Sequence, residues 1–403
     1  MGWGLVVVAG LVTFSVACSG GDDDGGGSSS GEQHRLRPEL VDVADDGFYV
    51  VPDPLPAGEH GDLLRYQLVA DPPDGVTWYR VMYLSETVNG EPTVVTGVVT
   101  VPDGDPPEGG WPLVSHAHGS TGLDDPCAPS VSLDADRLYA PELILLSSSA
   151  TGHRVVVAST DYEGLGGPGR HPFLVGESEG RSVLDMALAA RQLPGVAVGE
   201  RTAIAGYSQG GHAALWANQI AADWTPSLDI VGTMAGAPAS ELLSSTDGLP
   251  AEVRDQFDVG VVVGLAAGYP EADPQEILTP AGLDVARRLE RECPPVPGID
   301  PQTPLLQSHP DETEPWSTLL AENTPGQVAA PTPILIVHSA EDGNVPIAGS
   351  AALLDRLCAV GQVVERRVLP TGDHVTAAVP AYQQGFDWFD SLWHGDSPTS
   401  SCP

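Results

Sequence analysis

The chain has 403 residues, 41% of them hydrophobic and 18% charged. That is enough for one large α/β domain with insertions or for two ordinary domains, and too apolar to be wholly disordered. The formal net charge is −38, from 17 basic and 55 acidic side chains, and every basic residue is arginine. A nucleic-acid partner is excluded, because nothing could neutralise a row of phosphates. So is chemistry that needs a lysine, such as a Schiff base, a P-loop lysine or a Ser-Lys dyad.

Leu5–Ala17 is an apolar run of 13 residues interrupted by Gly10, Thr13 and Ser15. It is too short to span a bilayer and has the length of a signal-peptide core, although no arginine precedes it. Ser15-Val16-Ala17-Cys18, followed by Ser19-Gly20-Gly21, resembles a bacterial lipobox, with Ser15 standing where Leu, Val or Ile is usual. Residues 1–18 are therefore read as a leader, with Cys18 as a lipidation site; ordinary secretion and an uncleaved cytosolic tail are the alternatives. Residues 19–34 are Gly, Ser and Asp with little else, a solvated tether with nothing to bury. Asp22–Asp24 reads as a hydrated charge run rather than a calcium site. Cys127, Cys293, Cys358 and Cys402 remain, an even number without CxxC spacing, which in an exported chain reads as two disulfides.

Trp78–Ser85 and Thr93–Val101 are strand-like and joined through Asn89-Gly90, a hairpin signal. Leu113–His118 is a short strand, and Arg154–Thr160 an almost continuous apolar run typical of a strand buried on both faces. Residues 177–193 have helical periodicity and stop at Pro194-Gly195. Thr202–Ala205 is a strand, His212–Ala222 an alanine-rich helix and Ile230–Ala235 a further strand. Residues 239 to about 330 break the rhythm: they are rich in Pro, Asp and Glu, with helical pieces near 251–268 and 282–292. The alternation then resumes with a strand at Ile334–His338, a helix at 347–360, a strand at 363–369 and a helix at 376–393. The expected fold is α/β, a mainly parallel sheet with helices on both faces and residues 239–330 inserted as a helical cap.

Gly206-Tyr207-Ser208-Gln209-Gly210 fits G-x-S-x-G between a strand and a helix, the context that motif requires. A sharp strand-to-helix turn lifts the serine hydroxyl above the sheet, and the free N–H groups of the next helix face the reacting centre. Ser208 is the expected nucleophile. It needs a base and an orienting carboxylate, which in this arrangement follow in the order acid, then histidine, on loops after later strands. Asp342, in the turn after strand 334–338, is the expected acid, with Glu341 its rival. His374, in Thr371-Gly372-Asp373-His374 after strand 363–369, is the expected base. The oxyanion N–H donors are expected from Gln209 and from Ser120 or Thr121 in the loop His116–Gly122. The HxH pair His116 and His118 lacks partners for a metal set; His118 is read as bracing the loop, His212 and His338 as packed residues. No metal or cofactor is expected.

With these residues in hand, the chain resembles the secretory lipase family of α/β-hydrolases, over most of residues 47–402. Phe48-Tyr49 with Pro52 and Gly61–Arg65 is similar to the family's entry segment, and Tyr83–Ser85 with Thr96–Val99 to its first hairpin. His118–Gly122 with Cys127–Ser130 is similar to its oxyanion loop, and Asp161–Gly166 with His171–Phe173 to a further loop. Gly206–Gly211 resembles its elbow. The resemblance implies Ser208, Asp342 and His374 as a triad, a helical cap, and the disulfides Cys127–Cys293 and Cys358–Cys402. It also implies hydrolysis of acyl esters, from short esters to triacylglycerols. Residues 294–328 are poor in aromatic and long aliphatic side chains, which argues against a long acyl tunnel.

The reading is an exported serine carboxylic ester hydrolase acting through an acyl-serine intermediate. Its partners are an ester or lipid substrate and, through the N-terminal anchor, a membrane. The alternatives are a prolyl-peptidase-like hydrolase, an acyltransferase on the same fold, or a surface-anchored binding protein without activity.

Overall fold

Ile334 and Ile336 pack to one side of their strand, Leu335 and Val337 to the other, and all four are buried. Val156 and Ala158 alternate in the same way with Val155 and Val157, and Ile204 with Ala203 and Ala205. A strand whose residues are apolar on both faces has a layer above and below it. The computed structural model describes residues 36–42, 46–131, 133, 153–242, 251–293, 297–300 and 302–403. The expected leader, the tether and Cys18 lie outside the described residues, as do 243–250, 294–296 and 301 of the expected cap.

Ten strands of the described residues form one sheet. In chain order they are β1 (Glu39–Val41), β2 (Leu63–Leu68), β3 (Val76–Glu86), β4 (Pro92–Pro102), β5 (Trp111–Ala117), β6 (Val156–Thr160), β7 (Val198–Tyr207), β8 (Asp229–Gly236), β9 (Ile334–Ser339) and β10 (Val364–Leu369). Across the sheet the order is β1-β2-β3-β4-β6-β5-β7-β8-β9-β10. The β2–β3, β3–β4 and β4–β6 pairs are antiparallel; from β6 through β10 every pair is parallel. The β3–β4 hairpin closes at Glu86↔Pro92, with Gly90 at φ 77° in its turn, a backbone region that favours glycine. Two strands were not anticipated. In β2 buried and half-exposed positions do not alternate cleanly, and β1 has three residues, too few for any period. β1 also precedes residue 47, so the sheet begins earlier than the expected hydrolase domain.

Helices α1 (Gly176–Ala190) and α2 (Gln209–Trp224) cover one face, with Val183, Met186, Ala187, Ala213 and Ala217 in one core with Leu113, Val156 and Ile204. On the other face α8 (Ala378–Trp393) brings Ala381, Tyr382, Phe386 and Phe389 against Val114, Val157, Ala203 and Val337. Between β8 and β9 lie α3 (Ala251–Gly268), α4 (Pro274–Ile277), α5 (Pro280–Leu289) and α6 (Trp316–Asn323). They share a separate apolar core with Phe173, Leu174 and Val175, built around Val259, Val262, Leu265, Val285 and Trp316. The remaining helix, α7 (Ile347–Ala359), packs Leu353 and Leu357 on Ile334, Ile336 and Val364.

Two disulfides are present. Cys127–Cys293 joins the segment after β5 to the residues following α5, and Cys358–Cys402 joins α7 to the C-terminal tail.

Candidate active site

β7 delivers Tyr207 to the rim of the sheet, and α2 begins two residues later. The turn between them is tight enough to dictate its neighbours. A methyl group on Gly206 would lie 2.0 Å from the Gly210 carbonyl oxygen, and one on Gly210 would lie 1.9 Å from that of Ala117. Ser208, at the apex, has φ 60° and ψ −119°, a backbone region costly for any residue but glycine and concentrated at functional sites. Its strain is held by Ser208 N–H donating to Gly236 O at 2.9 Å and by Ala239 and His212 N–H donating to Ser208 O, both at 3.2 Å.

The loops after β9 and β10 reach the same place. His374 Nε2 stands 3.0 Å from Ser208 Oγ, and His374 Nδ1 stands 2.7 Å from Asp342 Oδ2. These residues are 166 and 32 positions apart in the chain. Asp342 Oδ1 accepts the N–H groups of Asn344 at 2.9 Å and Val345 at 2.8 Å. Burial alone would raise the Asp342 carboxyl. Hydrogen bonds from His338 and His374, the charge of His374 and the Val345 N–H outweigh burial and hold it well below the ordinary carboxylate range. Glu341 does not reach His374 by hydrogen bond; its Oε2 accepts the Gly372 N–H at 3.1 Å, tying the two loops together. Tyr207 adds a further tie, its hydroxyl donating to His374 O at 2.8 Å.

The oxyanion candidates fall on both sides of Ser208. Gln209 is buried at the start of α2. Across from it, a methyl group on Gly119 would lie 3.7 Å from Ser208 Cβ, so the loop after β5 meets the nucleophile one residue before the Ser120 and Thr121 pair. Ser120 is exposed and Thr121 buried, with its Oγ1 unpaired among the described residues. His118 braces this loop: Nδ1 lies 2.6 Å from Gly119 O, and Tyr162 donates to His118 O at 2.8 Å. Burial lowers His116 to about 3 and His118 to about 4. His116 faces Ser159 and Tyr382 rather than a shared centre with His118.

Sequence reasoning missed the layer beneath Gln209. Glu179 is fully buried in α1. Its Oε1 accepts from Gln209 Nε2 at 2.8 Å and Leu174 N at 3.0 Å, and its Oε2 lies 2.7 Å from His212 Nδ1. His212 Nε2 lies 2.9 Å from Asn323 O, at the end of α6. Gln209 also reaches His171 Nε2 at 3.0 Å. His212, read as a packed residue, is therefore one member of a polar chain from cap helix to elbow. The sequence carried one signal for Glu179: it stands four and seven residues before Val183 and Met186, on the apolar face of its helix.

Sheet, elbow and converging loops define an α/β hydrolase. The fold is similar to that of Candida antarctica lipase A in its closed state, with TM-score 0.75 and 20% identity over 89% of this chain and 88% of that one. A rice cell wall degrading esterase, LipA of Xanthomonas oryzae, gives TM-score 0.68 and 21% identity over 84% and 100%. Within that class the chain is similar to the secretory lipases: the family's sequence pattern matches residues 137–287. The chain is 25% identical over 397 residues to lipase A of Moesziomyces aphidis, covering 91% of this chain and 83% of that protein. It is 26% identical over 351 residues to a probable inactive lipase of Mycobacterium tuberculosis, covering 82% and 77%. The pattern of the prolyl oligopeptidase family matches residues 305–395.

Proposed function

We propose that this protein is an exported serine ester hydrolase in which Ser208, His374 and Asp342 act as nucleophile, base and orienting acid. The observation that carries the reading is His374, whose two ring nitrogens lie within hydrogen-bond reach of Ser208 Oγ and Asp342 Oδ2. Ser208 Oγ attacks the ester carbonyl carbon and its proton passes to His374 Nε2. The carbonyl oxygen becomes an oxyanion, met by the Gln209 N–H and by that of Ser120 or Thr121. Collapse expels the alcohol, which takes the proton from His374. Water then attacks the acyl-serine, His374 accepts a proton from it, and the carboxylic acid leaves with Ser208 restored. Asp342 keeps His374 Nδ1 as the donor throughout.

Two disulfides support export into an oxidising compartment. The proposal includes a catalytic domain over the expected residues 47–402, extended at its start by β1 (Glu39–Val41), with the cap at 239–330, a leader over 1–18, and lipid anchoring at Cys18 through the 19–34 tether. Detergent partitioning of parent and Cys18→Ser protein tests the anchor; recovery of both in the aqueous phase excludes it.

The likeness to a probable inactive lipase makes labelling the decisive experiment for activity. A fluorophosphonate should modify the parent at Ser208 and leave Ser208→Ala untouched; an unlabelled parent would refute the reading. The match of residues 305–395 to prolyl oligopeptidases favours a second reading, a peptidase-like hydrolase. An acyl-ester series run against proline amides separates the two: preferred turnover of the amides would establish the second.

A further inference from the structure

Asp342 receives more than His374. His338, the fifth residue of β9, is buried, and its Nε2 lies 3.3 Å from Asp342 Oδ2 and 3.0 Å from Val345 O. The His338 and Asp342 side chains have no exposed surface. Two oxygens facing one ring nitrogen make it the N–H nitrogen, shared between a carboxylate and a carbonyl. His338 Nδ1 has no hydrogen-bond partner among the described residues, so nothing competes for the other tautomer.

An ionised carboxylate has about four lone-pair sites. On Asp342, Asn344 and Val345 N–H groups meet Oδ1, while His374 Nδ1 and His338 Nε2 meet Oδ2. With these contacts the carboxylate has a partner for each site and no free direction in which to rotate. The loop closes on itself as well, because the Val345 whose N–H binds Oδ1 gives its carbonyl to His338. The other carboxylates nearby are engaged elsewhere: Glu341 with Gly372 N–H, and Asp373 with Val375 and Thr376 N–H.

We infer that His338 is a positioning residue for the proposed reaction: its Nε2–H fixes Asp342 and shares the carboxylate oxygen that His374 uses. The inference rests on the hydrolase reading. It assigns to a strand histidine a role exerted through Asp342, without contact to substrate. Because His338 draws on Oδ2, it also moderates how strongly Asp342 holds the proton on His374 Nδ1.

Two substitutions separate the N–H from the bulk of the ring. His338→Phe keeps a planar ring and removes the donor. His338→Gln places an amide near the Nε2 position, with one N–H for Asp342 and one for Val345 O. Rates are normalised to sites titrated by a fluorophosphonate, so unfolded protein does not count. His338→Phe should lose about 10- to 100-fold in kcat with KM nearly unchanged, the size expected when one hydrogen bond to a charged group is removed. The acid limb of its kcat/KM profile should move to higher pH, because a carboxylate with one donor fewer pulls harder on the His374 proton. His338→Gln should restore most of the rate and the parent limb. A His338→Phe protein with parent kcat and limb overturns the inference, as does a His338→Gln protein impaired equally with it. A parent that does not label overturns the hydrolase reading itself, which distinguishes the two failures. Independently of any variant, the parent's ¹⁵N histidine spectrum should show His338 protonated at Nε2; protonation at Nδ1 in its place overturns the inference.

Discussion

Glu179 Oε1 lies 2.8 Å from Gln209 Nε2, joining a buried carboxylate of α1 to the residue that follows Ser208. The same side chain holds the Leu174 N–H and His212, and His212 reaches Asn323 O in the cap. Glu179→Ala would leave the Leu174 N–H and His212 Nδ1 buried without partners and Gln209 Nε2 with His171 alone, and should destabilise the protein by about 3–5 kcal/mol. Glu179→Gln should cost far less. Its carbonyl can face Gln209 and Leu174, its amide can donate to His212 Nδ1, and His212 can then donate from Nε2 to Asn323 O. Urea denaturation of both variants checks the ordering; equal losses would mean that the negative charge, not the hydrogen-bond pattern, matters.

Asp342→Asn tests the orienting role directly. The asparagine amide would turn toward His374 Nδ1 and favour the tautomer with Nε2 protonated, which cannot accept the Ser208 proton. Turnover should fall by about 10⁴-fold with little change in substrate binding, on the precedent of the serine-protease triad. Glu341→Gln should fall far less, since Glu341 binds Gly372 N–H rather than His374. Steady-state rates for both variants decide between the two acids.

The parts of the fold legible in the sequence are those where one physical signal dominates. Residues 334–337 are an unbroken apolar run, and such a run between turn signals is a strand buried on both faces. Residues 63–68 carry an arginine and a glutamine, and only the sheet around them makes them a strand. Helix α6 offers Trp316, Leu319 and Leu320 within eight residues, too short a stretch for periodicity to stand out in a Pro- and Glu-rich segment. Ser208, Asp342 and His374 could be singled out because each sits in a recognisable loop after a strand. Glu179 could not be separated from Glu177 by residue type, since carboxylates in a helix normally face water. Glu177 does so and pairs with Arg181, whereas Glu179 points inward. The contact of His338 with Asp342 spans four residues, but it depends on where the strand ends and how the loop folds back.

The Cys358–Cys402 bond lays the C-terminal tail along β10, the strand at the end of the sheet. Ser401 N–H donates to Val364 O at 2.7 Å, Arg366 N–H donates to Ser401 Oγ at 2.9 Å, and Thr399 Oγ1 donates to Glu365. These contacts occupy backbone groups that an edge strand would otherwise offer to another chain. Cys402→Ser should lower stability by at most about 4 kcal/mol on the chain-entropy account of closing this loop. It should also raise light scattering on heating more than an equally destabilising core substitution such as Leu353→Ala. Equal scattering at equal stability would show that the tail does not protect the edge.

Asp161 sets a pH dependence opposite in sign to that of most aspartates. It is buried at the end of β6, with Oδ1 accepting Ser130 N–H at 3.0 Å and Oδ2 accepting the hydroxyls of Ser130 and Thr96. Burial is the largest influence and pushes its carboxyl up to about 6, while the Ser130 and Thr96 hydrogen bonds and the Arg80 charge pull it partly back. The unfolded value is 3.8. Between these two values the folded protein binds more protons at this site than the unfolded chain does, so the site's contribution to stability declines as pH rises through that window. A shift of this size corresponds to about 3 kcal/mol in total. Asp161→Asn removes the titration while leaving an oxygen for Ser130 N–H and an amide for the two hydroxyls. Denaturant unfolding of parent and variant at pH 4 and pH 7 should therefore show their stability difference moving in the variant's favour at the higher pH. A difference independent of pH, or one moving toward the parent, would mean that Asp161 is charged in the folded protein throughout.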